Sequence, residues 1–204
     1  GSIGIALFPD NGSDLARLSQ CADAALFRAK QNGRSNVQFF EQQMHERANE
    51  VLRIENDLRR ALENKELLLY YQAQVDASSL KIVGVEALVR WQHPEWGLVS
   101  PARFIPVAEE SGQIRDIGTW VLYTAVQQNA DWQAAGLPIV PVAINLSVVQ
   151  FKDASLCDSV IDAMRVSGLD PSMVELELTE SIAMDDSSFT IEMVARLHSL
   201  GIGL

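Results

Sequence analysis

The stretch Val83 to Trp91, VGVEALVRW, sets an acid and a base, Glu86 and Arg90, into a run whose alternation and β-branched content read as a strand. Successive strand residues point to opposite faces, so Glu86 and Arg90 share one face with Gly84 and Leu88. Val83, Val85, Ala87 and Val89 make the other, apolar face. An acid and a base on an otherwise buried side of a strand belong at the mouth of a site. Two later segments repeat the theme. VAINLS brings Asn145 and Ser147 to a strand end, and VELELTES puts Glu175, Glu177 and Thr179 on one face, followed by Glu180. Carboxylates and an amide oxygen are hard donors that suit Mg²⁺ or Mn²⁺ better than zinc, which favours His and Cys. Such an ion beside an Arg suits a phosphodiester: the metal activates water and neutralises charge, and the guanidinium holds phosphate oxygens.

Each residue also has a plainer reading. A lone Glu in a strand is often a solvated edge residue or half of an ion pair. Asn145 before Leu-Ser can be a strand-end turn residue, and Glu175 and Glu177 can be the polar face of an outer strand. Convergence of all three segments on strand ends favours a site. Asp185-Asp186 resembles a metal pair, but Asp-Asp-Ser-Ser over 185–188 before an apolar helical run reads as an N-cap cluster. His93, followed by Pro, reads as a loop residue, and His45 and His198 as solvated helix residues. The tryptophans at 91, 96, 120 and 132 read as packing groups.

The elements that must position these residues follow from periodicity and turn chemistry. A short strand over residues 2–8 precedes a turn at Pro9-Asp10-Asn11-Gly12. Ser13 or Asp14 caps a helix running to about Gln31, and Asn32-Gly33 ends it. A second short strand covers 37–40. Glu41 to Glu63 is a polar helix with Val51, Ile54, Leu58 and Ala61 on one stripe, and a domain boundary is expected in its first half. Strands 67–75 and 82–91 flank a short turn that makes them antiparallel. Gln92 to Pro101 reads as a loop, and 103–110 and 114–135 as helices. Strand 140–146, helix 156–167, strand 173–179, helix 189–199 and a strand stub at Ile202 then alternate. That alternation implies parallel βα units, hence an α/β sheet or barrel whose C-terminal rim binds ligands.

The chain has 204 residues, 48% hydrophobic and 21% charged, with a formal net charge of -11. This is globular composition, and its acidity argues against a general nucleic-acid grip. A small phosphodiester in a local pocket is still allowed. Cys21 and Cys157 lack metal spacing and read as reduced thiols of a cytosolic protein. No run reaches the ~18 apolar residues of a membrane span. The chain opens without Met inside a strand-like run and stops at another, so it reads as a piece of a longer protein.

VEALVRW, HPEWGLVSPARFIPVAEESGQI, AINLS and LELTES, in that order from about Leu67 to Leu204, resemble the EAL domain of bacterial cyclic-di-GMP phosphodiesterases. Separately, SIGIALFP and CADAALFRAKQNGRSN resemble the C-terminal part of a GGDEF (diguanylate cyclase) domain. The resemblance implies an α/β fold: an incomplete TIM-like (β/α) barrel of EAL type with one antiparallel strand, preceded by an α/β GGDEF remnant. Residues 1–41 would be that remnant, 42–64 a connecting helix, and 65–204 the first part of the EAL domain. It also implies that Glu86, Asn145 and Glu177 ligate Mg²⁺ or Mn²⁺, that Glu180 holds a loop near the site and a dimer contact, and that Arg90 contacts phosphate. Gln72 and Leu88 would contact or flank the substrate, and Glu86, Glu177 and Glu180 would be the catalytic acids. Ala73 stands where the family usually has Pro, with little effect expected. In the GGDEF-like part, Lys30 and Arg34 would contact a triphosphate, although cations at a helix C-terminus also simply favour its dipole.

The implied activity is metal-assisted hydrolysis of cyclic-di-GMP to the linear dinucleotide pGpG, with a homodimer formed through the EAL domain and no nucleic-acid polymer as partner. The protein would be cytoplasmic, with membrane attachment only through segments outside these residues. The family continues after Gly-Ile-Gly-Leu with a paired-Asp segment and later Lys, Glu and Gln. The 204 residues alone are therefore expected to be inactive, with exposed strand edges. Two rival readings are a degenerate EAL domain that binds cyclic-di-GMP as a receptor, and a scaffold using the 41–63 helix.

Overall fold

The computed structural model describes the chain except residues 32, 34, 179–181, 183, 185 and 186 and the side chains of 43–46. It divides into two compact units, Gly1–Asp57 and Leu58–Leu204. In the first, β1 (Ile3–Ile5) and β2 (Val37–Phe39) pair in parallel, with Ile3 opposite Val37 and Ile5 opposite Phe39. Between them runs α1 (Leu15–Gln31). Asp14, one of the two expected caps, takes the role: its Oδ1 accepts from Arg17 N at 2.8 Å. The helix buries Cys21, Ala24, Ala25 and Ala29. Small residues allow close approach to β1: a Cβ on Gly4 would overlap the α1 backbone at Ala22 and Leu26.

Helix α2 (Gln42–Ala61) buries Val51, Ile54, Leu58 and Ala61, the stripe expected from their spacing. The division into units falls at Asp57/Leu58, later in this helix than its sequence suggests. The polar composition at Glu41 marks where the helix starts. With no Gly or Pro to interrupt it, the helix continues across the boundary.

In the second unit, β3 (Leu67–Val75), β4 (Ile82–His93), β6 (Val142–Leu146) and β7 (Val174–Leu178) lie in that order, with β5 (Gly97–Val99) paired to β4. β3 is antiparallel to β4, as expected, while β4, β6 and β7 are parallel; the short β5 adds a second antiparallel strand that the sequence did not lead one to expect. The β3–β4 turn is built by Asp76, whose Oδ1 accepts from Ser78 Oγ at 2.6 Å and Ser79 N at 2.7 Å. Gly203 bridges Glu175 in parallel, extending the same order.

The parallel strands are joined by helices: α3 (Pro101–Ser111) and α4 (Ile114–Ala134) between β4 and β6, then α5 (Val148–Phe151) and α6 (Leu156–Ser167) between β6 and β7. A 3₁₀ turn at Pro171–Met173 enters β7, and α7 (Ser188–Ser199) follows. No helix among the described residues is long and apolar enough to cross a membrane.

Two local expectations are corrected. Gln92 to Pro101 is largely a β-hairpin: β4 runs on to His93, and Trp91 pairs with Val99. Its short return strand is too brief to show alternation. His93 is a buried strand end, 2% exposed, whose ring stacks on Trp96 at 4.2 Å. Its Nδ1 accepts from Glu95 N and Trp96 N, so the imidazole closes the turn that Pro94 initiates. The cap of α7 is Ser187, a member of the expected N-cap cluster, whose hydroxyl accepts from Thr190 N. Asp185 and Asp186 lie outside the described residues.

The core lies on one face of the sheet. Ala87, Trp91, Val142, Ile144, Leu146, Val174 and Leu176 are all buried there, as are Phe104, Ile117, Val121 and Val126 from α3 and α4. Removing this apolar surface from water drives the packing at about 25 cal/mol per Å². Buried Asn129 on α4 donates from Nδ2 to the carbonyls of Val140 (3.0 Å) and Met173 (3.2 Å). One amide thus ties together the starts of β6 and β7.

Candidate active site

The opposite face of the same strands carries the polar residues. Glu86 on β4 faces Gln72 on β3 and Ala143 on β6 in register. One step along, Asn145 on β6 pairs with Glu177 on β7. Paired residues point to one side, so Glu86, Asn145 and Glu177 converge from three adjacent strands. Asn145 Nδ2 donates to Glu86 Oε1 at 2.7 Å, across 59 residues of sequence.

Electrostatics mark the same spot. Burial raises the Glu177 carboxyl above the ordinary carboxylate range, and the negative charges of Glu86 and Glu175 push it further, against a hydrogen bond from Gln74. A divalent cation would relieve that repulsion. Among the described residues there is no group of three His, Cys, Asp or Glu side chains that could hold a metal. The donors here are two carboxylates and an amide, a set that fits Mg²⁺, which keeps several waters and takes one or two carboxylates.

Gln74 is a residue the sequence did not single out. It pairs with Gly84 across the β3–β4 ladder, and a Cβ on Gly84 would crowd the Gln74 amide oxygen at 2.5 Å. Glycine there leaves room for the Gln74 side chain to cross β4 toward Glu177. The signal was present, a Gly inside a charged strand, but its partner is visible only in the register.

Arg90 lies on the same face of β4, paired with Leu68. Its guanidinium sits 5.6 Å from the Tyr70 ring centroid, and Nη1 donates to Val89 O at 2.8 Å. Leu88, Arg90 and Asn145 line a cleft of about 400 Å³ together with Val89 and Leu146 from the other side of the strands and Ile105, Glu109 and Val121 from α3 and α4. Burial raises the Glu109 carboxyl. The cleft is of the size that holds small organic ligands. Gln72 is exposed on the edge strand β3, beside Glu86.

Not every predicted residue joins this group. Ser147 is a helix cap: its Oγ accepts from Gln150 N at 3.2 Å, and Gln150 Oε1 accepts from Ser147 N at 3.3 Å. Thr179, Glu180 and Arg34 lie outside the described residues. Lys30 is exposed in the last turn of α1, in the other compact unit.

An EAL domain model matches residues 55–204, which include every strand of the sheet just described. The chain belongs to the EAL-domain family. It is 44% identical over 203 residues, all of this chain, to the bifunctional diguanylate cyclase/cyclic di-GMP phosphodiesterase MucR of Pseudomonas aeruginosa. It is 36% identical over 200 residues, 98% of this chain, to the cyclic di-GMP phosphodiesterase PdeR of Escherichia coli. The chain spans 30% of the length of each of these relatives. Among solved structures, the PaMucR phosphodiesterase in its c-di-GMP complex superposes with a TM-score of 0.71 at 43% identity, covering 74% of this chain and 61% of that one. The EAL enzyme Bd1971 with cAMP and cyclic-di-GMP bound gives 0.71 at 27% identity, covering 95% of this chain and 50% of that one. The architecture is therefore an α/β fold of the TIM-like barrel type of EAL domains.

Proposed function

We propose that this EAL domain hydrolyses cyclic-di-GMP to pGpG, with Glu86, Asn145 and Glu177 holding Mg²⁺ or Mn²⁺. The observation that carries the reading is the convergence of those three side chains on one sheet face beside the Arg90 cleft. The names of MucR and PdeR supply the reaction, and the PaMucR complex supplies the ligand.

The reaction adds one water across one P–O bond and leaves a 5′-phosphate and a free 3′-hydroxyl. A bound divalent ion supplies charge neutralisation and an acidified water. The protein's own groups do the rest. Glu86 and Glu177 supply negative charge for the cation, and Asn145 orients Glu86 through the 2.7 Å hydrogen bond. Arg90 stabilises the charge growing on the phosphate oxygens. Leu88 packs against the ligand in the cleft and Gln72 contacts it from β3. Glu180 acts through a loop near the site and through a homodimer contact made by the EAL domain.

The same reading makes residues 1–41 the C-terminal part of a GGDEF domain, 42–64 a connecting helix, and 65–204 the first part of the EAL barrel. Lys30 and Arg34 then face a GTP phosphate. Support comes from the SIGIALFP and CADAALFRAKQNGRSN segments and from MucR, a bifunctional cyclase and phosphodiesterase that matches along this whole chain. The buried free thiols of Cys21 and Cys157 accord with a reducing cytoplasm.

The test is incubation of the full-length protein with cyclic-di-GMP and Mg²⁺ or Mn²⁺, following pGpG by chromatography. Metal-dependent product that disappears in Glu86→Ala supports the reading. Ligand binding without product makes the domain a cyclic-di-GMP receptor instead.

A further inference from the structure

Asn145 is exposed one residue before β6 ends at Leu146, where the ladder to β7 also stops. Two residues later the chain enters the four-residue helix α5 through a reciprocal cap: the Ser147 hydroxyl accepts from Gln150 N, and Gln150 Oε1 accepts from Ser147 N. A helix of one turn has no propagation energy of its own, so the cap and its packing hold it. Gln150 is 8% exposed although its side chain is polar. Its amide lies against Gly118, in the second turn of α4, where an added Cβ would overlap the amide nitrogen.

Gly118 has no positive φ to explain it. Glycine inside a helix costs about 1 kcal/mol relative to alanine, so close approach is its reason. Gly118, Leu146 and Gln150 line both the Arg90 cleft and a second, smaller cavity of about 40 Å³ under α6. The Gln150 amide thus stands between two spaces and is held from both the cap side and the α4 side.

We propose that Gly118 and Gln150 are positioning residues: packed against α4 at Gly118, Gln150 clamps Ser147 and so fixes the direction in which β6 presents Asn145 to Glu86. Both line the Arg90 cleft, and neither is one of the proposed ion ligands. The role as a support for an ion ligand rests on the proposed metal site, but the effect on Asn145 does not. Groups that orient metal ligands from behind typically contribute 10- to 100-fold in metal affinity.

The test uses full-length protein labelled with [¹⁵N]asparagine. The Asn145 side-chain amide signals are assigned by their loss in Asn145→Asp, and Mn²⁺ affinity and the kinetics of cyclic-di-GMP hydrolysis are measured alongside. Gln150→Leu is expected to shift the Asn145 signals, weaken Mn²⁺ binding about 10-fold and lower kcat, with KM changed less than about twofold. Gln150→Glu, which keeps an acceptor for Ser147 N, is expected to restore them. Gly118→Ala, a milder change that displaces the amide by one methyl group, should act in the same direction should Gln150→Leu not fold. Unshifted Asn145 signals in Gln150→Leu or Gly118→Ala, with only the melting temperature lowered, would overturn the proposal. Shifted signals with Mn²⁺ affinity indifferent both to Gln150→Leu and to Glu86→Ala would sustain the positioning role and sink the metal site.

Discussion

The two faces of the β3-β4-β6-β7 sheet are made by the same strands and follow opposite rules. On one face Ala87, Val142, Ile144, Val174 and Leu176 are buried against the helices and stabilise the fold. On the other, Glu86, Glu175 and Glu177 crowd negative charge together, and burial, with the charges of Glu86 and Glu175 added to it, pushes the Glu177 carboxyl up. A one-residue slip of any strand would exchange the two sets, so the burial of one face fixes the register that assembles the other. Stability and chemistry are therefore separable by alternate residues, and substitutions on each face should have different signatures.

The largest effect is expected on the apolar side. Trp91 is fully buried, meets Phe104 edge-on at 5.8 Å and donates from Nε1 to Glu66 at 3.0 Å. Trp91→Ala should cost about 3–5 kcal/mol in urea unfolding; a loss below about 1 kcal/mol would show that this face does not carry the fold. On the polar side, Glu86→Ala should reduce hydrolysis by at least about 100-fold with the melting temperature in chelator unchanged or raised. A collapse in stability would erase the distinction between the faces.

Asn129→Leu sits between these cases. It orphans the carbonyls of Val140 and Met173 and should cost about 1–3 kcal/mol. Hydrogen exchange should reveal the opening first at the starts of β6 and β7. A smaller shift is expected from Glu177→Gln. A carboxyl whose folded-state pKa is raised contributes stability below its unfolded value and loses it as pH rises through the folded one. In chelator at neutral pH the ionised Glu177 is thus a cost, and Glu177→Gln should raise the melting temperature. That gain should fade as pH falls through the raised folded-state pKa and be gone below about pH 4. A variant less stable than wild type at neutral pH would contradict the repulsion.

The smallest effect lies off both faces. Hydrogen bonds from Ser78 and Ser79 hold the Asp76 carboxyl down at about 2, from 3.8. A depressed carboxyl stabilises above its unfolded pKa and ceases to do so as pH falls through the folded value. Asp76→Asn should lower the melting temperature slightly at neutral pH, and the two proteins should converge as pH falls toward 2. A gap that persists in acid would assign the effect to the turn backbone rather than to the charge.

Much of this layout was legible beforehand. The period-2 run at Val83–Trp91, the helical stripe at Val51, Ile54, Leu58 and Ala61, and the alternation after Gly136 each gave an element close to the one observed. Those signals are local, set by which side of a strand or helix can be buried. The motifs around Glu86, Asn145 and Glu177 were legible as chemistry for the same reason: charge and amide groups interrupt apolar strands. The hairpin closed by β5, the burial of His93 and the cap role of Ser147 were not, because each depends on a partner that no spacing names.

The sequence by itself determined the elements, the alternate faces, the acidic character and the family likeness, since these follow from residue type and local period. Only the tertiary structure decided that Asn145 donates to Glu86, that Gly84 admits Gln74 and that Gly118 admits Gln150. The physical reason is that a side-chain contact requires two backbones at a fixed separation and register. That separation is set by the whole buried face of the sheet and its helices, not by the residues that happen to meet.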